Sequence, residues 1–230
     1  LSRKVLREYY ELTLVFIIFA LFARGFVATN MKIPSASMED TLLIGDHLVV
    51  NLFIYARHWH TPLHRLLPYR EPQRGDIVIF RNPQDPRQDL IKRCVALSGD
   101  LVEIRAKQLL LNGEPAPIKQ AVFKDAAVYP DRPEVPPSLR VRDNFGPFEV
   151  PEGMIFCLGD NRDLSADSRF IGPVPLHYLR GRAMLIYWSF EAVPNDAEWQ
   201  GAGHKLRQLA DVAAHLLSRT RWDRTFKLVH

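Results

Sequence analysis

Two serines sit two residues apart behind a proline, in Pro34-Ser35-Ala36-Ser37, within the stretch 32–46 that follows the most apolar segment of the chain. A hydroxyl becomes a nucleophile only when a neighbouring base takes its proton, so the pair has chemistry only if the fold brings a base to it. No G-x-S-x-G elbow surrounds either serine, and neither S-x-x-K nor H-E-x-x-H occurs anywhere. None of the eight histidines stands in a motif-like setting. The stronger candidate is Lys92, inside the apolar run Leu90-Ile91-Lys92-Arg93-Cys94-Val95. Side chains alternate along a strand, which puts Lys92 on the face of Leu90 and Cys94 and turns Arg93 to the other. An ammonium on an apolar face loses hydration, so its charge is disfavoured and its pKa falls. A neutral amine can accept a serine proton near neutral pH, which an exposed lysine with a pKa of about 10.4 does poorly. Pattern alone leaves the plainer readings open: a lysine at a strand edge, and serines that serve a turn.

The elements that must position these groups read as mostly β. Strand signals fall at 46–53, 77–80, 89–95 and 154–158, the last ending in Gly159-Asp160, with a further apolar strand at 183–190. Residues 101–104 and 108–111 predict a hairpin, followed by an Asn112-Gly113 turn. A proline-rich stretch, 114–151, reads as an excursion from the core rather than a second domain. Residues 206–218 carry apolar side chains at helical spacing, and 222–229 fit a closing strand. Short strands, few helices and no βαβ alternation predict a mostly-β domain.

The chain has 230 residues, of which 47% are hydrophobic. That suffices for a sizeable core and excludes wholesale disorder. The net charge of +4 is scattered rather than gathered on one face, which argues against nucleic acid as a partner and suits anionic lipid equally well. Two cysteines, Cys94 and Cys157, provide neither a disulfide framework nor zinc spacing. They read as buried thiols, with a single bridge open to them in an oxidising compartment. His58, His60 and His64 have spacings that a metal could use, but no carboxylate or cysteine joins them, so a solvated or membrane-facing loop is expected and no metal.

Residues 12–23 are almost wholly apolar. They fall short of the roughly 20 residues of a membrane span, but extension to 9–28 reaches that length with charges near the ends. A cleaved secretory signal is disfavoured because no A-x-A-like site follows, and a core helix because 14–22 lacks a polar face. The expectation is an uncleaved transmembrane anchor at 9–28, a cytoplasmic flank at 1–8 and an extracytoplasmic domain at 29–230. Arg3, Lys4 and Arg7 before the span favour that orientation, blunted by Arg24 beyond it.

Four stretches, in order behind the apolar segment, carry a resemblance: IPSASMEDTL, RGDIVIF, DLIKRCVALSGD and GDNRDLSADSR. They resemble the catalytic-domain motifs of type I (leader) signal peptidases, and the likeness runs from about residue 22 to residue 190, with 222–230 similar to the closing strand. The resemblance implies a signal-peptidase-like antiparallel β-sheet domain behind one transmembrane helix. It implies a membrane serine endopeptidase that removes signal peptides from exported precursors after small residues, without a cofactor, with precursor proteins and membrane lipid as its partners. It matches Ser37 to the nucleophile and Lys92 to the general base. Ser35 matches the oxyanion-binding hydroxyl and Ser165 the hydroxyl that orients the lysine. Asp160, Asp167 and Arg169 match a supporting polar cluster, with Arg93 as an ion-pair partner there. Ile33, Met38, Leu42, Leu90 and Ile91 fall where the family lines shallow apolar pockets. Asp40 departs from the pattern, since proline usually stands there; it either raises the pKa of Lys92 through its charge or points to solvent. Ala36 and Ser98 are milder departures, at positions where glycine and proline are frequent. Two other readings remain: a Ser/Lys peptidase of different specificity, such as the self-cleaving repressors, and a non-enzymatic membrane-anchored β-rich interaction module.

Overall fold

The computed structural model describes residues 3–22, 28–58, 69–191 and 214–229. Helix α1 (Arg3–Phe22) comes first, then strands β1 (Ala28–Lys32), β2 (Asp46–Asn51), β3 (Ile77–Arg81) and β4 (Asp89–Ala96). The hairpin β5 (Leu101–Arg105) and β6 (Gln108–Leu111) follows, with β7 (Glu114–Pro115) beyond a turn through Asn112 and Gly113. Helix α2 (Pro137–Asp143) and strand β8 (Phe145–Glu149) lie in the proline-rich stretch. The chain then returns through β9 (Met154–Leu158), a single helical turn α3 (Ser168–Ile171), β10 (Val174–Pro175), the long β11 (Leu179–Ser189) and β12 (Lys227–Leu228).

These strands form two sheets whose named pairings are all antiparallel. The larger has the order β1-β2-β11-β3-β4-β9-β10, with β12 on β11, and the smaller β7-β6-β5-β8. The period-two pleat divides β3 between two cores: Ile77 and Ile79 join Ile33, Met38, Leu42 and Ile91, while Val78 and Phe80 join Tyr55, Cys94 and Cys157. A strand buried on both faces reads as a continuous apolar run, as Ile77 to Phe80 of β3 do, whereas β4 is buried along most of its length with Lys92 and Arg93 inside it. The smaller sheet packs through Val102, Ile104 and Leu109 onto Val95, Phe156 and Leu158. Phe145, Phe148 and Phe156 meet there with ring centroids 5.3–6.0 Å apart in tilted arrangements.

The mostly-β expectation holds, as do the strands and the hairpin. The proline-rich stretch is more ordered than its composition suggested. A seven-residue helix such as α2 is too short to show a 3.6-residue period, and Pro137 opens it where the missing N–H costs nothing. Of the helix expected at 206–218, residues 206–213 lie outside the described residues. The closing strand shortens to β12, which pairs Leu228 with Leu185. Among the described residues no helix is long and apolar enough to cross a membrane. Helix α1 starts earlier than the expected span and includes Arg7, Glu8 and Glu11, while residues 23–27 lie outside the described set.

Candidate active site

The two serines lie in the loop between β1 and β2, and backbone bonds close that loop on itself. Ile33 N–H donates to Asp46 O at 2.9 Å, Gly45 N–H to Ile33 O at 3.1 Å and Leu42 N–H to Met38 O at 2.7 Å. Asp46 fixes the far end, accepting from Leu43 N–H, Ser189 Oγ and Arg224 Nη2. Met38 and Leu42 are fully buried and anchor the loop in the core. Between these anchors a 3-10 turn, Ala36–Met38, holds Ser37. Ser35 occupies the N-cap position of this turn, but its hydroxyl makes no capping bond. It lies instead 3.5 Å from Ser37 Oγ.

Lys92 reaches the same point from β4. Its Nζ is 2.7 Å from Ser37 Oγ and donates to Ile91 O at 3.0 Å. Both side chains are buried: Ser37 is 6% exposed and Lys92 3%. Burial is the main cause that lowers the Lys92 pKa, to about 8. Asp167, Cys157 and Asp160 act in the opposite direction, and Arg169 adds to the lowering. Lys92 stands opposite Val78 in the ladder, on the face of Leu90 and Cys94, as strand alternation predicts.

The polar cluster assembles around the Gly159-Asp160 corner after β9. Arg93 donates to both oxygens of Asp160, from Nε at 2.8 Å and Nη2 at 2.7 Å, with both side chains about 2% exposed. Thr41 Oγ1 donates to Asp160 Oδ2 at 2.6 Å, which ties the serine loop to the pair. Asp167 accepts from Arg169 Nε and Nη2 and from Gly159 N–H. Burial opposes its charge, but Arg169 and these bonds outweigh that and hold the carboxyl below its usual range. Gly159 itself is a packing requirement. A Cβ there would lie 2.2 Å from Ser165 Oγ and 2.5 Å from Ser37 O.

The other residues singled out in the sequence are placed as follows. Ser165 sits on the floor of the site against Gly159, but no hydrogen bond joins it to Lys92 in this structure. Its hydroxyl has no well-aligned partner, although it lies near enough to Asp167 to help hold that carboxylate charged. Ile33, Met38, Leu42 and Ile91 are closed into the core, and Leu90 packs half-buried against the other face of β4. The first four expose little surface of their own. Asp40 points outward: its carboxylate is 67% exposed and faces Lys124 at 3.3 Å. The solvent alternative therefore describes it. Among the described residues no group of three or more His, Cys, Asp or Glu could hold a metal, and His60 and His64 lie outside them. The cysteines are free and buried.

Sequence reasoning missed Thr41, Gly159 and an ionic clamp behind the cluster. Arg142, at the end of α2, bonds Asp143 and Asp125, and its backbone carbonyl accepts from Arg169 Nη1 at 2.7 Å. Lys107 meets Asp163 at 2.9 Å. Thr41 and Gly159 at least lie inside the resembling stretches; Arg142 and Lys107 carry no local signal.

A serine hydroxyl held against a buried amine on an antiparallel β scaffold defines the class, a serine peptidase. The family described as signal peptidase, peptidase S26, matches residues 6–188. The signal peptidase I of Pseudomonas fluorescens is 32% identical over 211 residues, covering 81% of this chain and 74% of its own. That of Aquifex aeolicus is 31% identical over 228 residues, covering 80% and 84%. A solved signal peptidase I chain from Enterococcus faecalis V583 covers 49% of this chain and 97% of its own, at 31% identity and a TM-score of 0.39. The chain belongs to the signal peptidase family, peptidase S26.

Proposed function

We propose that the protein removes N-terminal signal peptides from exported precursors, cutting after a small residue in an A-x-A-like setting, through a Ser37–Lys92 dyad. One observation carries this reading: the Lys92 amine lies 2.7 Å from Ser37 Oγ in a buried setting that brings its pKa to about 8. Neutral Lys92 takes the Ser37 proton as Oγ bonds to the scissile carbonyl carbon. The oxyanion is held by the Ser37 N–H and the Ser35 hydroxyl, which capping leaves uncommitted. The ammonium of Lys92 then returns the proton to the departing amine as the C–N bond breaks. The acyl-enzyme remains. Lys92, neutral again, takes a proton from water as that water attacks the ester, and Ser37 is released with its hydrogen restored.

The reading extends to the membrane. Tyr9, Leu12, Val15 and Phe16 on α1 are each more than half exposed, and a run of exposed apolar residues marks a lipid or protein contact. In this reading residues 9–28 are the membrane span, and they tether the domain at the extracytoplasmic face of the cell membrane. The test is incubation of the purified protein with a precursor and with a variant carrying a bulky residue before the cut, followed by mass spectrometry of the new amino terminus. One defined cut after a small residue is expected, lost in the bulky variant and in Ser37→Ala. Scattered cuts, or full activity in Ser37→Ala, would overturn it.

A further inference from the structure

Cys94 and Cys157 take no part in the chemistry proposed above, yet the fold sets them face to face. They are register partners on β4 and β9, and both are fully buried. Opposed residues in an antiparallel ladder come in two kinds; the kind that exchanges no backbone bonds has the closer Cα atoms, about 4.5 Å apart. Cys94 N–H donates to Asp76 O, and Cys94 O accepts from Gly75 N–H, each at 2.8 Å. Both groups thus point toward the β3 side and away from β9. Cys157 N–H likewise goes elsewhere, to Ser168 Oγ at 3.0 Å. The two cysteines are therefore a close pair, within the roughly 4.4–6.8 Å Cα separation that a disulfide spans. Their side chains share one core, where the Cys94 thiol donates to Ala96 O at 3.7 Å and lies near enough to Cys157 to disfavour its ionisation. The register slips directly afterwards, between Cys94 and Ala96, which adds local twist where the two strands must adjust.

We propose that Cys94 and Cys157 are a covalent modification site, a thiol pair oxidised to a cross-strand disulfide. The bond would fasten the strand that carries Lys92 to the strand that leads into Asp160. The co-reactant is a low-molecular-weight disulfide. One cysteine thiolate attacks a sulfur of that reagent and expels its other half as a thiol. The second cysteine then attacks the mixed disulfide and expels the remaining half, so two protein thiols and one reagent disulfide become one protein disulfide and two reagent thiols. Both side chains are closed to solvent, and burial pushes the Cys157 thiol well up. Exchange therefore takes place while the strands are open during folding, and the closed fold preserves the state in which it forms.

The test unfolds the full chain and refolds it in oxidised and reduced glutathione, or in excess reductant alone, then alkylates it with iodoacetamide under denaturing conditions. The oxidised preparation is expected to lose two hydrogens, take up no alkyl group and yield one linked peptide containing both cysteines. Its thermal midpoint is expected several degrees above that of the reduced preparation, a gap absent in Cys94→Ser and in Cys157→Ala. Two alkylated thiols in both preparations, glutathione adducts without a bridge, or equal midpoints would each overturn the proposal. The wild-type comparison stands even if neither variant folds. The expectation that the oxidised form keeps cleaving precursor to a higher temperature rests on the function proposed above. If neither preparation cleaves a precursor while the mass shows the bridge, that function fails and the bridge stands; active enzyme with two alkylated thiols gives the reverse.

Discussion

Lys92 is the residue on which both the stability and the proposed activity turn. Its amine is buried at a depth where charge is unfavourable, and the carboxylates of Asp167 and Asp160 only partly offset that. With the neutral amine as the proposed base, kcat/KM is expected to rise with pH through an acid limb near 8, the pKa to which burial brings it. Asp40 faces Lys124 at the surface, so Asp40→Asn is expected to leave that limb within a few tenths of a pH unit. A clear downward shift in a pH–rate profile would show that Asp40 does couple to Lys92. The same burial carries a stability cost. A pKa lowered from 10.5 to about 8 corresponds to about 3 kcal/mol. The folded pKa lies below the unfolded one, so the cost is present in full below pH 8 and fades as pH rises toward 10.5, where the unfolded chain also loses its proton. Lys92→Met is therefore expected to be inactive yet more stable at pH 7, by up to about 3 kcal/mol. The gain should shrink at pH 10. Thermal unfolding at both pH values checks it, and a gain independent of pH would rule out desolvation as the cause.

At the scale of elements, the site is built from three chain segments that meet closely at Gly159. The 3-10 turn brings Ser37, β4 brings Lys92, and the corner after β9 brings Gly159 and Asp160. Asn161 N–H donates to Ser37 O at 3.2 Å, so the corner holds the serine turn by its backbone. Gly159→Ala would drive a Cβ into Ser165 and into that carbonyl. Displacement of reacting groups by about 1 Å can cost on the order of 100-fold in rate, and a kcat loss of that size is expected with the circular dichroism spectrum retained. Unaltered kcat would mean that the corner does not position Ser37. Strands β3, β4, β9 and the β5–β6 hairpin were legible because each is a short β-rich run bounded by turn residues. Helix α2 and strand β8 were not: seven residues are too few to show a 3.6-residue period, Gly146 and Pro147 interrupt the β pattern of β8, and both elements make ionic or aromatic contacts with distant elements.

The whole molecule joins helix α1 to a two-sheet domain that holds the site. If α1 tethers the domain beside membrane-held precursors, the tether raises local concentration without altering the chemistry. Removal of residues 1–27 is expected to leave cleavage of a short soluble peptide within about twofold. It should slow cleavage of a precursor embedded in vesicles by tenfold or more, the lower end of gains from effective concentration. Kinetics on both substrates checks this; equal loss on both would mean that the helix supports the fold rather than the encounter.

By itself the sequence determined the strand faces, the burial of a lysine within β4 and the order of four motifs, because side-chain period and apolar content are local properties. Those properties also place Cys94 and Lys92 on one face of one strand. Only the tertiary structure decided which faces meet. Ser37 and Lys92 are 55 residues apart, Thr41 and Asp160 are 119 apart, and nothing in either neighbourhood encodes their distance in space. The meeting of Cys94 with Cys157 follows from how β4 and β9 pair, and the place of Ser165 against Gly159 and the outward turn of Asp40 are likewise tertiary facts. Strand register is a long-range choice, made where the best joint burial of both faces is reached.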